Sequence, residues 1–316
     1  MTIELDSRLH WNDGSIMITT KSYRVCIAPM LNYTDRHFRY FIRLISKHIF
    51  LYTEMVSTGA LLCGDAERFL QFHEWEHPVA LQLGGNDPKD LAKCAKLVES
   101  FGYDEINLNI GCPSSRVQSG QFGVCLMLQP QLVADCVRAM QDAVSIPVTV
   151  KTRIGVDQQD SYESLTNFVD LVSSGGCQNF IIHARKAILK NISPKANRTI
   201  SPLHYDVVYQ LKKDFPNLEI IINGGIKSLD DIREHLKYVD GVMIGREAYH
   251  NPYFLAEVDS TFFDDNHPIP SRQAIAEQYQ LYVDQQLKKG VSRTQVIRPM
   301  MGLFKGQKGA KAWRRS

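Results

Sequence analysis

The chain has 316 residues, of which 44% are hydrophobic and 22% charged, and its formal net charge is +2. These values are ordinary for a globular protein and exclude a largely disordered chain, and no apolar run approaches the roughly 20 residues that a membrane-spanning helix needs. Because the sequence also shows no signal peptide, no paired cysteine spacing and no CxxC or HExxH motif, we expect a monomeric cytoplasmic protein that binds neither a metal nor a membrane.

Short apolar runs bounded by turn residues predict eight β-strands, at residues 25–30, 49–55, 79–83, 105–110, 147–152, 180–183, 219–223 and 241–244. Helical patterns separate most of them: Asp87 and Pro88 precede one at 91–101, and Ser228 precedes another at 232–238. This alternation predicts an α/β protein with a (β/α)8 TIM barrel. An open doubly wound sheet is the alternative, but no GxGxxG turn follows the first run.

Polar residues or glycines stand at the carboxyl ends of six of these runs. They are Gln82, Asn107 with Asn109, Lys151 with Arg153, His183 with Arg185, Asn223 with Gly224 and Gly225, and Gly245 with Arg246. In a parallel barrel these ends converge on one face, where active sites are built. We therefore expect an active site drawn from six strands.

The glycines after the seventh and eighth runs predict a phosphate site, because glycine lets backbone N–H groups close on an anion and Arg246 adds a charged contact. A purely structural Gly-Gly turn is the alternative. Lys151 is either a fixed cation for a developing anion or a solvated side chain. His183 and Gln82 are equally compatible with an ordinary buried position, so only their joint placement favours a site.

The segment Asn-Leu-Asn-Ile-Gly-Cys-Pro at 107–113 contains the strongest candidate for catalysis. A thiol in a loop at the barrel mouth can approach a ligand and act as an acid in its neutral form. A packing cysteine, as predicted for Cys136 and Cys177 within helical patterns, is the alternative for Cys112.

Charge is divided unevenly along the chain. Residues 285–316 contain nine Lys or Arg and no Asp or Glu, so the 27 other basic residues face all 34 acidic ones, a balance of −7. A basic segment attached to an acidic body predicts a polyanion-binding module. The apolar spacing becomes helical from Arg272, after a cluster of Asp, Asn and Pro. We therefore predict a catalytic domain at 1–264 and a basic helical domain at 265–316.

Together these motifs resemble the tRNA-dihydrouridine synthase family, in order, from residue 25 to residue 315. The matching segments are Ala-Pro-Met at 28–30, Leu-Gln-Leu at 81–83, 107–113, Val-Lys-Thr-Arg at 150–153, Ile-His-Ala-Arg at 182–185, Asn-Gly-Gly at 223–225 and Gly-Arg at 245–246. Residues 183–198 and Gly-Leu-Phe at 302–304 resemble its A-type branch. That branch continues with further helix beyond the stretch matching 312–315, so we expect the helical domain to be incomplete here.

The resemblance implies FMN-dependent, NADPH-driven reduction of the C5=C6 bond of a uridine in the tRNA D-loop. Reduced FMN would deliver hydride from N5 to uracil C6, and Cys112 would protonate C5. The resemblance also implies the cofactor contacts. Gln82, Lys151 and His183 would contact the flavin ring, Asn223, Gly224, Gly225, Gly245 and Arg246 its phosphate, and the backbone of Pro29, Met30 and Leu31 would line it.

A base within folded tRNA must swing out to reach a flavin, which requires a surface that grips the surrounding backbone. Residues 185–198 contain five basic residues and no acid, and the basic tail would add to them. The predicted tRNA contacts are Asn109, Arg185, Lys186, Lys195, Arg198 and Arg298. The alternatives are an FMN barrel acting on a free pyrimidine, which would not need the tail, and a non-enzymatic RNA-binding barrel, which would not need Cys112.

Overall fold

Eight parallel strands form the centre of the protein in a computed structural model that describes residues 23–189, 192–193 and 196–315. They are β1 Val25–Ile27, β2 Leu51–Ser57, β3 Val79–Gly84, β4 Glu105–Asn109, β5 Val148–Arg153, β6 Asn179–His183, β7 Glu219–Asn223 and β8 Gly241–Ile244. The order is β1-β8-β7-β6-β5-β4-β3-β2, and a parallel bridge between Cys26 and Phe50 brings β1 to the start of β2. The predicted barrel and its eight strands are confirmed.

Helices follow the strands along the chain. They are α1 Arg36–Arg43, α2 Thr58–Cys63, α3 Ala66–Leu70, α4 Pro88–Ser100, α5 Ser115–Ser119, α6 Pro130–Gln141, α7 Tyr162–Ser174, α8 Tyr205–Asp214, α9 Leu229–His235, α10 Arg246–His250, α11 Val258–Phe262, α12 Arg272–Lys288, α13 Arg293–Ile297 and α14 Ala310–Trp313. The predicted starts are confirmed, since the Asp87 side chain caps α4 ahead of Pro88 and Ser228 caps α9. Within the described ranges, no helix is long and apolar enough to cross a membrane.

Alternation along each strand separates two layers of side chains. On β4, Ile106 and Leu108 point outward into the large core between the sheet and the helices. Its other residues, Glu105, Asn107 and Asn109, share the opposite, inward face, and all three are buried. A small apolar cluster including Tyr52 and Met243 fills the barrel interior. The inward face of β4 is therefore entirely polar, which brings hydrogen-bonding groups from the interior up to the mouth.

The C-terminal part of the described chain is helical, as predicted, and packs against α1. The hydroxyl of Tyr282 lies 2.8 Å from Nδ1 of His37, and its ring stacks on Tyr40 with a centroid separation of 4.0 Å. The hydroxyl of Tyr279 donates a hydrogen bond of 2.7 Å to the carbonyl of Val296, which ties α12 to α13. These contacts hold the basic segment against the helix that follows β1.

Candidate active site

Three inward amides from β3 and β4 are linked at the mouth of the barrel. Asn109 Nδ2 donates to Gln82 Oε1 at 2.8 Å, and Gln82 Nε2 donates to Asn107 Oδ1 at 2.7 Å. Gln82 is only 1% exposed, so these bonds are shielded from water. Gln82 was predicted to contact the flavin and Asn109 to contact tRNA, but the two side chains belong to one hydrogen-bond network.

Cys112 lies on the loop after β4, and Asn109 holds that loop. Asn109 Oδ1 accepts hydrogen bonds from the backbone N–H groups of Gly111 at 3.2 Å and Cys112 at 3.0 Å. The Cys112 thiol donates to Ser114 Oγ at 3.5 Å and is half-buried. Gly123 packs against the loop with φ 65°, and a Cβ there would lie 2.8 Å from the Cys112 carbonyl oxygen, so only glycine fits. The thiol is held at the mouth and not in the core.

Two other cysteines, predicted to be packing residues within helices, are more deeply buried than Cys112, but only one of them lies in a helix. Cys136 and Cys177 are both fully buried in the apolar core. Cys136 lies in α6 as predicted, but Cys177 lies between the end of α7 and the start of β6. The prediction of a helical Cys177 was wrong because the apolar pattern of α7 runs on into the turn that leads to β6.

Lys151, on β5, donates from Nζ to Asn223 Oδ1 at 3.0 Å. Asn223 in turn donates from Nδ2 to the Met243 carbonyl at 2.7 Å, which connects β5, β7 and β8. Burial, together with the charge of Arg153, lowers the pKa of Lys151 to about 7, while nearby Cys112 acts in the opposite direction. An anionic ligand at this position would favour the ammonium form.

His183, at the end of β6, is a neutral imidazole facing a glycine turn. Burial lowers its pKa well below the ordinary value, and the positive charges of Arg153, Lys151, Arg185 and Arg246 add to this effect. Its Nδ1 is buried and has no hydrogen-bond partner among the residues that the structure describes. A buried ring nitrogen without a partner is costly, so a polar ligand atom is the natural explanation.

The turn after β7 is built from two glycines with positive φ, 123° at Gly224 and 79° at Gly225. A Cβ on Gly224 would lie 3.4 Å from Cε1 of His183, which places the turn beside the imidazole. The hydroxyl of Tyr205 donates to the Gly224 carbonyl at 2.7 Å and fixes the turn. The backbone thus takes a shape that residues with side chains rarely adopt, next to a buried ring.

The third glycine of the predicted phosphate site, Gly245, follows β8, and Arg246 begins α10 immediately after it. Among the described residues, a Cβ on Gly245 would have only Met30 Sδ within 4 Å, at 3.9 Å, so they leave the space above this glycine open. The charge of Arg246 lowers the pKa of Arg185, after the larger effect of burial, so the two guanidinium groups lie close enough to repel. Two nearby cations beside an open backbone suit an anion.

The loop after β1 contains Pro29, Met30 and Leu31, the predicted backbone lining. The Met30 N–H donates to Thr34 Oγ1 at 2.9 Å, so this amide is already engaged. The Leu31 side chain is 65% exposed. The carbonyl of Asn32 accepts a hydrogen bond of 3.0 Å from Arg298, so the basic segment touches this loop directly.

Comparison of the sequence with known proteins identifies its family. The sequence model of the family described as dihydrouridine synthase matches residues 26–316. The chain belongs to the dihydrouridine synthase family. Relatives named tRNA-dihydrouridine(20/20a) synthase include one from Vibrio parahaemolyticus, 59% identical over 94% of this chain and 91% of the relative. Others come from Escherichia coli O6:H1, 58% identical over 93% and 89%, and Synechocystis, 57% identical over 92% and 87%.

A solved structure agrees with the fold. A 2-naphthoyl-CoA reductase in complex with 2-naphthoyl-CoA superimposes with a TM-score of 0.58 at 10% sequence identity. The match covers 75% of this chain and 50% of the other, so this chain spans about half the length of that protein. At this identity the likeness supports the barrel alone.

Several basic residues predicted to contact tRNA are engaged within the chain. Arg185 Nε donates to the Ser201 carbonyl at 2.7 Å, and Lys186 forms an ion pair of 2.6 Å with Asp160. Lys195 lies outside the described residues, and Arg198 closes the 3-10 turn Ala196–Arg198. Counting charges along the sequence missed these partners, because they are distant in the chain.

Arg153 is the functional candidate whose role the sequence predicted least well. Its Nε donates to the Gly111 carbonyl at 2.9 Å, and Nη1 lies 3.2 Å from the Lys186 carbonyl and 3.3 Å from the Asn197 carbonyl. Arg153 is 5% exposed and braces the Cys112 loop against the loop after β6. Its position beside Lys151 at a strand end was the available signal, but that position did not reveal which carbonyls it binds.

Proposed function

We propose that this protein reduces a uridine in the D-loop of tRNA to 5,6-dihydrouridine, using bound FMN and NADPH. The observation that carries the proposal is the half-buried thiol of Cys112, on a loop that Asn109 holds at the barrel mouth through the backbone N–H groups of Gly111 and Cys112. Family membership and the name of the relatives, tRNA-dihydrouridine(20/20a) synthase, support tRNA as the substrate.

The residues at the mouth fit FMN. His183 Nδ1, which has no hydrogen-bond partner among the described residues, and the Nζ of Lys151 suit the polar edge of a flavin ring. Gln82 Nε2 donates one N–H to Asn107 and has a second N–H that it can offer to the ring. Gly224, Gly225, Gly245 and Arg246, with Asn223, would hold one phosphate, and Pro29, Met30 and Leu31 would line the cofactor. FMN, when bound, supplies the hydride that the reduction requires.

The protein's own chemical contribution is the proton. Cys112 would carry it on Sγ and donate it to C5 of the uracil ring, with the loop position fixed by Asn109. The thiolate left by this donation and the ammonium of Lys151 would carry opposite charges at the same mouth and attract each other. Lys151 thereby serves both the cofactor and the acid.

The tRNA surface would combine the loop at 185–198 with a basic domain at 265–316. The tail residues Lys308, Lys311, Arg314 and Arg315 are all exposed, in contrast to the engaged Lys186 and Arg185. Exposed cations bind phosphates without the cost of breaking an internal pair. We therefore propose that these four residues provide more of the electrostatic grip than the predicted contact Arg298, which already binds Asn32.

Arg246→Met is expected to weaken FMN binding by roughly ten- to a hundred-fold, the effect of losing one charge-assisted hydrogen bond. Arg246 lies next to the open backbone of Gly245. Fluorescence titration of flavin-free protein with FMN measures the change. The control is Arg233→Met, which removes an exposed arginine paired with Asp230 on α9. Equal loss of affinity in both variants would show that Arg246 has no specific role.

Lys151→Met is expected to stabilise the flavin-free protein at pH 6, by about 3 °C in the unfolding midpoint, and by less at pH 10. The pKa of Lys151 is about 7 in the folded protein, against its ordinary value of 10.5. Below pH 7 the buried ammonium opposes folding in full, and this cost declines as the pH rises from 7 toward 10.5. The shift in unfolding midpoint is measured by thermal melts of wild type and Lys151→Met at both pH values. Lys96→Met, on the surface of α4, is the control. A pH-independent shift would mean that the amine titrates normally.

Activity can be tested by reducing the purified flavoprotein with NADPH and then adding a tRNA transcript that lacks modified bases. Reoxidation of the flavin by the transcript, with formation of dihydrouridine in the D-loop, is the result that the proposal requires. A protein that binds tRNA but no flavin would instead be a non-enzymatic RNA-binding barrel.

A further inference from the structure

A continuous series of hydrogen bonds runs through the barrel interior to the Cys112 loop. Asn109 Nδ2 donates to Gln82 Oε1 at 2.8 Å, Gln82 Nε2 to Asn107 Oδ1 at 2.7 Å, Asn107 Nδ2 to Thr149 Oγ1 at 2.8 Å, and Thr149 Oγ1 to Glu105 Oε1 at 2.6 Å. We call these five side chains the interior relay. The relay connects the first residue of β4 with its last, by way of β3 and β5.

The two ends of the interior relay fix its direction. At one end, Asn109 Oδ1 accepts from the backbone N–H groups of Gly111 and Cys112, which can only donate. At the other end, Glu105 Oε1 accepts from Thr149. Exchanging the oxygen and nitrogen positions of any amide in the relay would place two donors, or two acceptors, against each other. Each amide orientation is therefore determined by its neighbours, and every donor points toward Glu105.

All five members of the interior relay are buried, with exposures of 1% for Gln82, 0% for Glu105 and Asn107, 8% for Asn109 and 1% for Thr149. In such surroundings a broken link leaves a polar group without a partner, which disturbs its neighbours. Burial raises the pKa of Glu105 to about 7, against the opposing effect of the Thr149 hydrogen bond. A proton on the other oxygen, Oε2, would leave Oε1 free to accept, so the direction does not depend on this titration.

We propose that Glu105, Thr149 and Asn107 are positioning residues for Cys112, acting through Gln82 and Asn109. The interior relay holds the Asn109 side chain in the one orientation in which its oxygen caps the loop N–H groups, and that cap fixes the thiol at the mouth. The effect on loop position stands on the geometry alone. Its consequence for protonation of uracil rests on the proposed function.

Two substitutions at one position separate the hydrogen bond from packing. Thr149→Val keeps the shape of the side chain and removes the hydroxyl, whereas Thr149→Ser keeps the hydroxyl. The readout is the rate at which iodoacetamide alkylates Cys112, measured by mass spectrometry relative to exposed Cys63 in the same molecule. We expect Thr149→Val to raise this ratio roughly five-fold, as for the loss of one net hydrogen bond, and Thr149→Ser to leave it near the wild-type value.

A second readout uses the flavoprotein. In single-turnover experiments, Thr149→Val should slow flavin reoxidation by unmodified tRNA roughly ten- to a hundred-fold, because misplacing a catalytic group is costly. Flavin reduction by NADPH and reoxidation by oxygen do not need the thiol and should change much less, and any change in them measures the effect of the relay on Gln82 beside the flavin. If the wild-type protein does not reduce tRNA, the proposed function fails, while the alkylation ratio still tests the relay.

The relay proposal is overturned if folded Thr149→Val alkylates Cys112 at the wild-type ratio, or if Thr149→Ser changes the ratio as much as Thr149→Val. Thermal melts establish that each variant is folded. Should Thr149→Val fail to fold, Asn107→Leu breaks the relay one link closer to Gln82, and the same ratio decides. The combination of Thr149→Val with Asn107→Leu is expected to be no worse than the larger single effect, because both interrupt one series.

Discussion

Cys112→Ala is expected to stop dihydrouridine formation, by about a hundred- to ten-thousand-fold, while flavin remains bound and reducible by NADPH. The loss is large because a positioned acid is removed, and it is selective because the cofactor contacts proposed for Lys151 and His183 are untouched. Rapid mixing of the reduced protein with unmodified tRNA, with detection of dihydrouridine by mass spectrometry, measures the effect.

Cys63→Ala is the matched control, since Cys63 is an exposed cysteine at the end of α2. It should modify tRNA at the wild-type rate. If Cys112→Ala also modifies tRNA at that rate, Cys112 is a structural residue, and the acid must be sought elsewhere at the mouth.

Reversing the charges of Lys308 and Lys311 to Glu is expected to weaken tRNA binding on the order of ten-fold and to make its salt dependence shallower. Each phosphate contact contributes about 0.7 to 0.9 to the slope of log K against log salt, so losing two should lower the slope by about 1.4 to 1.8. Both lysines are exposed. Arg298 and Lys305 are poorer choices because they bind Asn32 and Glu247, and their loss would also disturb the barrel.

The control for the tail is a second double reversal, Lys96→Glu with Lys213→Glu, at exposed positions on α4 and α8. It changes the net charge equally but alters no predicted tRNA contact. The affinity for tRNA is measured across a salt series for wild type, the tail variant and the control variant. Equal slopes in all three would mean that the tail is a solvated surface and that recognition depends on the loop at 185–198.

The sequence predicted the barrel well because its strands are buried on both faces and read as apolar runs. For example, residues 219–223 and 241–244 were placed with the bounds that the structure has. The convergence of the candidate site residues was predictable for a related reason. Once the strands are parallel, the residues at their carboxyl ends, such as Lys151 and Asn223, must meet at one face.

Contacts between residues that are distant in the chain could not be predicted from the sequence. Nothing local indicates that Lys186 pairs with Asp160, or that Thr149 joins Asn107 to Glu105. Such contacts depend on the register between strands and on loop paths, which a pattern of residue types does not encode. The alternation of Glu105, Asn107 and Asn109 with apolar residues in the run at 105–110 was the local sign that polar groups lay inside the barrel.

The most direct test of the proposed function is a competition between two substrates. Wild-type protein with FMN and NADPH is given equal concentrations of uracil bases in an unmodified tRNA transcript and as free uracil, and the reduced products are quantified by mass spectrometry. The proposed function predicts dihydrouridine in the D-loop of the tRNA and little or no free dihydrouracil. Reduction of free uracil without modification of the tRNA would contradict it and identify a barrel that acts on a free pyrimidine.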